Sequence, residues 1–212
     1  MPDLNQEGGR EAVQACDALR APVEAFTVDP RYAFRSGMTF ETHWQDIVAF
    51  ALHDGVPGVV RVHFETARNL LLYSWFVFHF HQAAEMHAYS SVEYALRKRA
   101  RLGTREFGPG LRGLLERAVS EGWIRDDGFR HVRRIAEQRA RDNQESALIG
   151  GEPDSPESQT LQSYVQILGD VLPALRNKLA HGSAMMSPTG KRTLAICCDL
   201  INQLFPKRNE HG

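Results

Sequence analysis

Apolar residues recur at helical intervals along most of the chain, and no alternating strand pattern recurs. From Thr39 onward the pattern divides into successive helices. Thr39 is placed to cap the first, with Thr42 where a capping-box Glu normally sits and Glu41 favouring the helix dipole. This helix carries Phe40, Trp44, Ile47, Val48 and Leu52 and stops at Asp54-Gly55. From Gly58 to Gly103 neither Gly nor Pro intervenes, which allows a single helix on the order of 65 Å long. Its first part, Leu70 to Phe80, is apolar on nearly every face and reads as a central buried segment. Its second part presents Ala84, Tyr89, Val92 and Leu96 on one side. A bend near Gln82 fits the pattern, although no residue compels it.

Two shorter helices follow, Leu111–Trp123 and Gly128–Arg141. Residues 142–157 hold five acids (Asp142, Glu145, Glu152, Asp154, Glu157), no Lys or Arg, two Gly and two Pro, and read as an exposed loop. A helix then starts at Ser155 or Ser158, with Leu161, Tyr164, Val165, Leu168, Val171, Leu172, Leu175 and Leu179 on one inward face. It ends at His181-Gly182, where Gly suits the residue after the cap. Pro173 inside it crowds the carbonyl of Gly169, so a kink or break is expected within residues 169–173. The last helix begins at Ser187-Pro188 or Thr189, carries Leu194, Cys197, Cys198, Ile201, Leu204 and Phe205, and ends at Pro206. Residues 1–38 are less regular: Glu11–Leu19 is amphipathic, and Ala21–Met38 is broken by Pro22, Pro30 and Gly37, with room for a short strand at Ala25–Val28. The prediction is an all-α antiparallel bundle over residues 39–206, with an N-terminal extension at 1–38 and a tail at 207–212.

Composition narrows the function classes. The 212 residues are 42% apolar and 24% charged, enough to bury a core without disulfide or metal staples. With 25 Lys and Arg against 26 Asp and Glu, any nucleic-acid surface must be local. Residues 97–141 supply a local excess of thirteen basic over six acidic side chains. Arg97, Lys98, Arg99 and Arg101 cluster at one helix end, and Arg130, Arg133 and Arg134 lie together on another. Such density fits phosphate-backbone contact, or a solvated face balanced by the acidic loop. Three cysteines (Cys16, Cys197, Cys198) without a CxxC spacing fit a reducing compartment. The polar N-terminus does not resemble a signal peptide, and the longest apolar run, about 11 residues, falls short of the roughly 20 that span a bilayer. A cytoplasmic protein without membrane association is expected.

Several chemistries lack their motifs: there is no GxxxxGK[ST], no strand-preceded GxGxxG and no GxSxG. His81 and Glu85 have ligand-like i, i+4 spacing but no third partner, so His79, His81 and His87 read as core-edge polar groups, and no metal or other cofactor is expected. Cys197 and Cys198 fall on an apolar stripe and read as core. The informative stretch is Arg176-Asn177-Lys178-Leu179-Ala180-His181-Gly182. Here Leu175 and Leu179 point inward, Arg176 sits on the flank and Asn177 faces out. On an ideal helix Arg176 and His181 are about 140° apart, a gap that a long Arg side chain and a loosened last turn can close. A guanidinium holds phosphate bidentately and an imidazole supplies acid–base catalysis. The same residues also read as a C-capping His beside a surface Arg.

Arg176 and Asn177 followed by His181 resemble the signature of the HEPN superfamily, R-x4–6-H with Asn, Asp or His often directly after the Arg. The helix through Ser90–Arg97 is similar to the earlier helix whose acidic residue faces the Arg–His pair in many members, and a closing helix, Leu194–Phe205, follows the motif. The resemblance covers residues 60–206. It implies a four- or five-helix bundle that commonly forms a two-fold dimer, bringing two Arg–His pairs into one cleft. It further implies a metal-independent endoribonuclease: His181 would move the 2′-OH or leaving-group proton, Arg176 would stabilise the phosphorane, and the products would be a 2′,3′-cyclic phosphate and a 5′-OH end. Asn177 would orient the phosphate or the His, and Glu93 would hold Arg176, with Glu85 the other candidate. Arg97, Lys98, Arg101, Arg130, Arg133, Arg134 and Lys178 are the candidate RNA contacts. The expected setting is a toxin or phage-defence system, with RNA as substrate, a homodimer through the 171–182 region, and an antitoxin or regulatory protein as a further partner. The rival readings are a non-catalytic HEPN-like module that binds RNA, nucleotide or a partner protein, and a structural bundle whose RNKLAHG is only a helix end.

Overall fold

The computed structural model describes residues 18–33, 37–101, 109–148, 163–181 and 189–207. Among them the chain is all-helical and contains no strand, so the strand expected at Ala25–Val28 is absent; a 3-10 turn at Pro22–Glu24 precedes that stretch. Eight α-helices follow one another among the described residues: α1 (Pro30–Ala33), α2 (Phe40–Val48), α3 (Gly58–Tyr73), α4 (Phe80–Arg99), α5 (Leu111–Ser120), α6 (Arg130–Leu148), α7 (Tyr164–Ala180) and α8 (Gly190–Leu204). The hub is α4, which packs most extensively on α3 and α8 and also meets α5 and α7. The core is built from Phe64 and Leu71 of α3, Tyr89 and Leu96 of α4, Leu114 of α5, and Leu194 and Ile201 of α8. Cys197 and Cys198 are buried within it, and burial pushes the Cys198 thiol up to about 12, so these are packing residues.

The single long helix allowed by the sequence does not form. It breaks between Tyr73 and Phe80 rather than bending near Gln82. The cause lies 45 or so residues away: the Asp29 N–H donates to the Trp75 carbonyl at 3.0 Å, and the Asp29 carboxylate accepts from the Phe78 N–H at 3.4 Å. Backbone groups freed by the break are thereby satisfied. Asp29 is itself fully buried and gripped by Arg31 through contacts of 2.8 and 2.9 Å. Trp75 and Phe78 then pack with Tyr32 in a second, smaller apolar cluster. Residues 28–33 are therefore anchored parts of the fold, and Leu70–Phe80 is divided between two clusters instead of crossing one core.

Other differences are local. Thr42 does the work of the absent Glu: Thr39 Oγ1 accepts from the Thr42 N–H at 3.1 Å, and Thr42 Oγ1 accepts from the Thr39 N–H at 3.0 Å. The helix so started ends at Val48 and buries His43 and Ile47, leaving Phe40, Trp44 and Val48 about two-fifths exposed. Helix α6 runs on to Leu148, so the first part of the expected acidic loop is helical, and 149–157 lie outside the described residues. Helix α7 starts at Tyr164; Ser155, Ser158 and Leu161 are likewise outside the described residues. It continues unbroken past Pro173 to Ala180, so no break interrupts residues 169–173.

Candidate functional site

The rotation of α7 decides which way Arg176 points, and that rotation is set from outside the helix. No local side chain caps its N-terminus. Asp126, in the turn before α6, accepts from the Tyr164 N–H (3.0 Å), the Val165 N–H (2.9 Å) and the Ser163 hydroxyl (2.8 Å). Burial raises the Asp126 pKa, but these three donors outweigh it and hold the carboxyl below its ordinary value. Val165, Leu168 and Leu172 then face the core, with Leu179 partly buried against it. Leu175 and Val171, expected on the inward face, are instead 42% and 40% exposed, and Ile167 is 39% exposed. The inward arc is rotated accordingly, and Arg176 lies on its half-buried edge while Asn177 is exposed.

At that edge Arg176 Nη2 stands 3.8 Å from Glu93 Oε2 of α4, and Arg176 Nη1 donates to Asn177 Oδ1 at 3.2 Å. Arg176 Nε is buried without a hydrogen-bond partner. The other Glu93 oxygen accepts from Arg97 Nη2 at 3.2 Å, one turn along α4. These groups border a cleft of about 460 Å³ whose walls include Glu93, Leu111, Arg112, Pro173, Arg176 and Asn177. Arg112 Nη1, at the start of α5, donates to Asp170 Oδ1 of α7 at 2.5 Å. His181 is the C-cap of α7: its N–H donates to the Asn177 carbonyl at 3.0 Å, and its side chain is exposed and does not line the cleft. One helical turn, about 6 Å of rise, separates it from Asn177.

Glu85 belongs elsewhere. It is 7% exposed and accepts from Thr189 Oγ1 at 2.6 Å at the start of α8. Burial raises its pKa against that hydrogen bond. Nearby, His81 Nε2 lies 2.6 Å from the Tyr32 hydroxyl, and His87 stacks on His63 with ring centres 4.4 Å apart. Among the described residues no group of three or more His, Cys, Asp or Glu side chains could hold a metal ion. No helix among them is long and apolar enough to cross a membrane.

The basic candidates divide into two sets at opposite ends of α7. Arg97 and Lys98 close α4 near the Arg176 end and Arg101 follows its cap, with Lys98 Nζ 5.6 Å from the Tyr94 ring centre and Arg101 at a positive φ of 56°. Lys178 is exposed on α7 itself. Arg130, Arg133 and Arg134 sit on the first turns of α6, near the start of α7, where His131 packs edge-on against Tyr164 at 4.3 Å. Arg130 is engaged by Asp199 (2.6 Å) and the Ala49 carbonyl (2.9 Å), and Arg133 by the Asp127 carbonyl (2.9 Å). Arg112 and Asp170 were missed by sequence reasoning, because nothing local to either marks the contact between α5 and α7. Comparison with protein-family models, with curated proteins and with solved structures gave no match.

Proposed function

We propose that this protein is a HEPN-type, metal-independent endoribonuclease that cleaves single-stranded RNA through Arg176 and His181. The observation that carries the reading is the approach of Glu93 to Arg176 across two helices, at the wall of a cleft that also holds Asn177. A half-buried guanidinium oriented by a carboxylate keeps donors available for a phosphodiester, and its fixed charge suits a phosphorane better than a freely moving Lys would. Asn177 would position a phosphate oxygen or the imidazole. His181, exposed one turn further on, would take the 2′-OH proton or return one to the leaving 5′-oxygen.

A second copy of the chain would complete the site. Ile167, Val171 and Leu175 form an exposed apolar row on α7 beside the motif, the kind of surface that a two-fold helix pairing covers. Pairing there would bring two motif helices together, with each His181 near its counterpart's cleft. The rival reading, a non-catalytic module that binds RNA, draws on the exposure of His181 outside the cleft within one chain. Cleavage of single-stranded RNA by the wild-type protein and by Arg176→Ala separates the two: the nuclease loses turnover, whereas a module that only binds RNA shows no turnover to lose.

A further inference from the structure

At the other end of α7 a second cleft of about 740 Å³ opens between α2, α6 and α8. Its volume is that of a small-molecule site. Phe50, Ile135 and Ile196 give it an apolar side, and Ile135 is 48% exposed there. Its charged groups are two acids, Asp46 and Asp199, and four cations, Arg130, Arg134, Lys191 and Arg192. Both acids are taken: Asp46 by Lys191 at 2.6 Å and Asp199 by Arg130 at 2.6 Å. Arg134 and Arg192 have no acidic partner among the described residues. His131 lines the same cleft. Burial lowers its pKa first, then Arg192, then Arg134, with only Asp199 opposing; from α7 the neighbour is the Tyr164 ring.

We propose that this cleft binds a nucleoside phosphate, with Arg134 and Arg192 on the phosphate and Phe50, Ile135 and Ile196 against the nucleoside. Two guanidiniums without an acidic partner among the described residues, beside an apolar wall, match a ligand that is anionic at one end and weakly polar at the other. The same chemistry comes from a free nucleotide or from one unit of an RNA strand. Tyr164, at this end, and Arg176 are separated by about 18 Å of helix, a few nucleotides of extended chain. The proposal stands independently of cleavage by Arg176 and His181.

The test uses the full chain and two probes: AMP, and a labelled oligoadenylate carrying 2′-O-methyl groups, which lacks the attacking hydroxyl and stays intact. Binding is followed by the titration of His131 in NMR spectra and by fluorescence anisotropy. A bound phosphate opposes the two arginines, so saturating ligand should raise the His131 pKa. Arg134→Ala and Arg192→Ala should each weaken binding roughly tenfold or more, as loss of a charge-assisted hydrogen bond does. Both side chains are exposed, so neither change endangers the fold. Arg139→Ala, an exposed position on the same helix outside the cleft, should leave binding unchanged. A response to AMP identifies the free nucleotide as ligand, and a response to the oligonucleotide alone identifies a strand. If neither probe moves His131, or if Arg139→Ala weakens binding as much as Arg134→Ala, the assignment is overturned. Cleavage is not read in this experiment, so its failure leaves the Arg176 site untouched.

Discussion

Glu93 is shared by two guanidiniums, with Arg97 Nη2 at 3.2 Å on its own helix and Arg176 Nη2 at 3.8 Å on α7. The Arg97 contact is a partly buried i, i+4 pair, a kind that contributes about 0.3–0.5 kcal/mol on a helix. The Arg176 contact spans two helices, and its consequence is orientation. Glu93→Gln should therefore change stability by less than about 1 kcal/mol. In RNA cleavage it should lower kcat by about tenfold with KM little changed, as expected for an interaction made in the transition state. Steady-state kinetics beside chemical denaturation checks both halves, and an equal loss in KM with kcat intact would assign Glu93 to substrate binding instead.

Asp126 should behave as the cap of α7 despite lying far from it in sequence. Asp126→Ala removes one acceptor group serving three donors and should cost about 1–2 kcal/mol. Because the folded pKa is depressed below 3.8, this stabilisation is present above that value and lost as pH falls through the folded pKa. Denaturation of wild type from about pH 5 down to about pH 3 should show that decline, and the Ala variant should show less of it. Equal slopes would remove Asp126 from the account of α7.

Acid should weaken the protein earlier than carboxylates alone require. His43 is fully buried with Nε2 3.0 Å from the Leu71 carbonyl, and burial lowers its pKa. His63, stacked on His87, is lowered first by burial and then by His87. For both, the unfolded chain takes up protons first, so stability is full above the ordinary 6.5 and falls as pH drops below it. His63→Gln should flatten the fall of the thermal midpoint between about pH 6.5 and about pH 5. An unchanged slope in that variant would locate the acid sensitivity elsewhere.

Assembly provides a separate check. Val171→Asp and Leu175→Asp replace exposed apolar residues on α7 and should leave the monomer folded. In sedimentation, wild type at micromolar concentration should run as a dimer and both variants as monomers. A wild-type monomer would exclude pairing through this helix.

What could be read from the sequence was whatever is decided within a few residues. Helical periodicity located α2, α5, α6, α7 and α8 but neither α1 nor the division between α3 and α4, Thr39 announced its cap, and Leu194, Cys197, Cys198, Ile201 and Leu204 all proved buried on α8. Partners distant along the chain left no local mark. Asp29 interrupts the helix at residues 74–79, and Asp126 starts α7; neither pattern resembles a breaker or a cap at the place where it acts. The face of α7 was misjudged for a related reason. Val171 and Leu175 are as apolar as Leu168 and Leu172, and hydrophobicity alone does not say which of two adjoining rows meets the core. In the cleft, Arg176 and Asn177 are sequence neighbours and were visible as a unit. Glu93 entered only through the HEPN resemblance, and Arg112 not at all, because helix packing alone brings α4, α5 and α7 together.

The most direct test of the central claim is cleavage of single-stranded RNA by purified protein in excess EDTA, with the new ends identified. Wild type should yield 2′,3′-cyclic phosphate and 5′-OH ends. His181→Ala should abolish cleavage without lowering the thermal midpoint, since the side chain is exposed at a helix end. Arg176→Ala should lose about 10²–10³ in rate, and Arg176→Lys should recover little of it, because an ammonium cannot make the bidentate contact. Cleavage that requires added Mg²⁺ or Mn²⁺, or that persists in His181→Ala, would contradict the account.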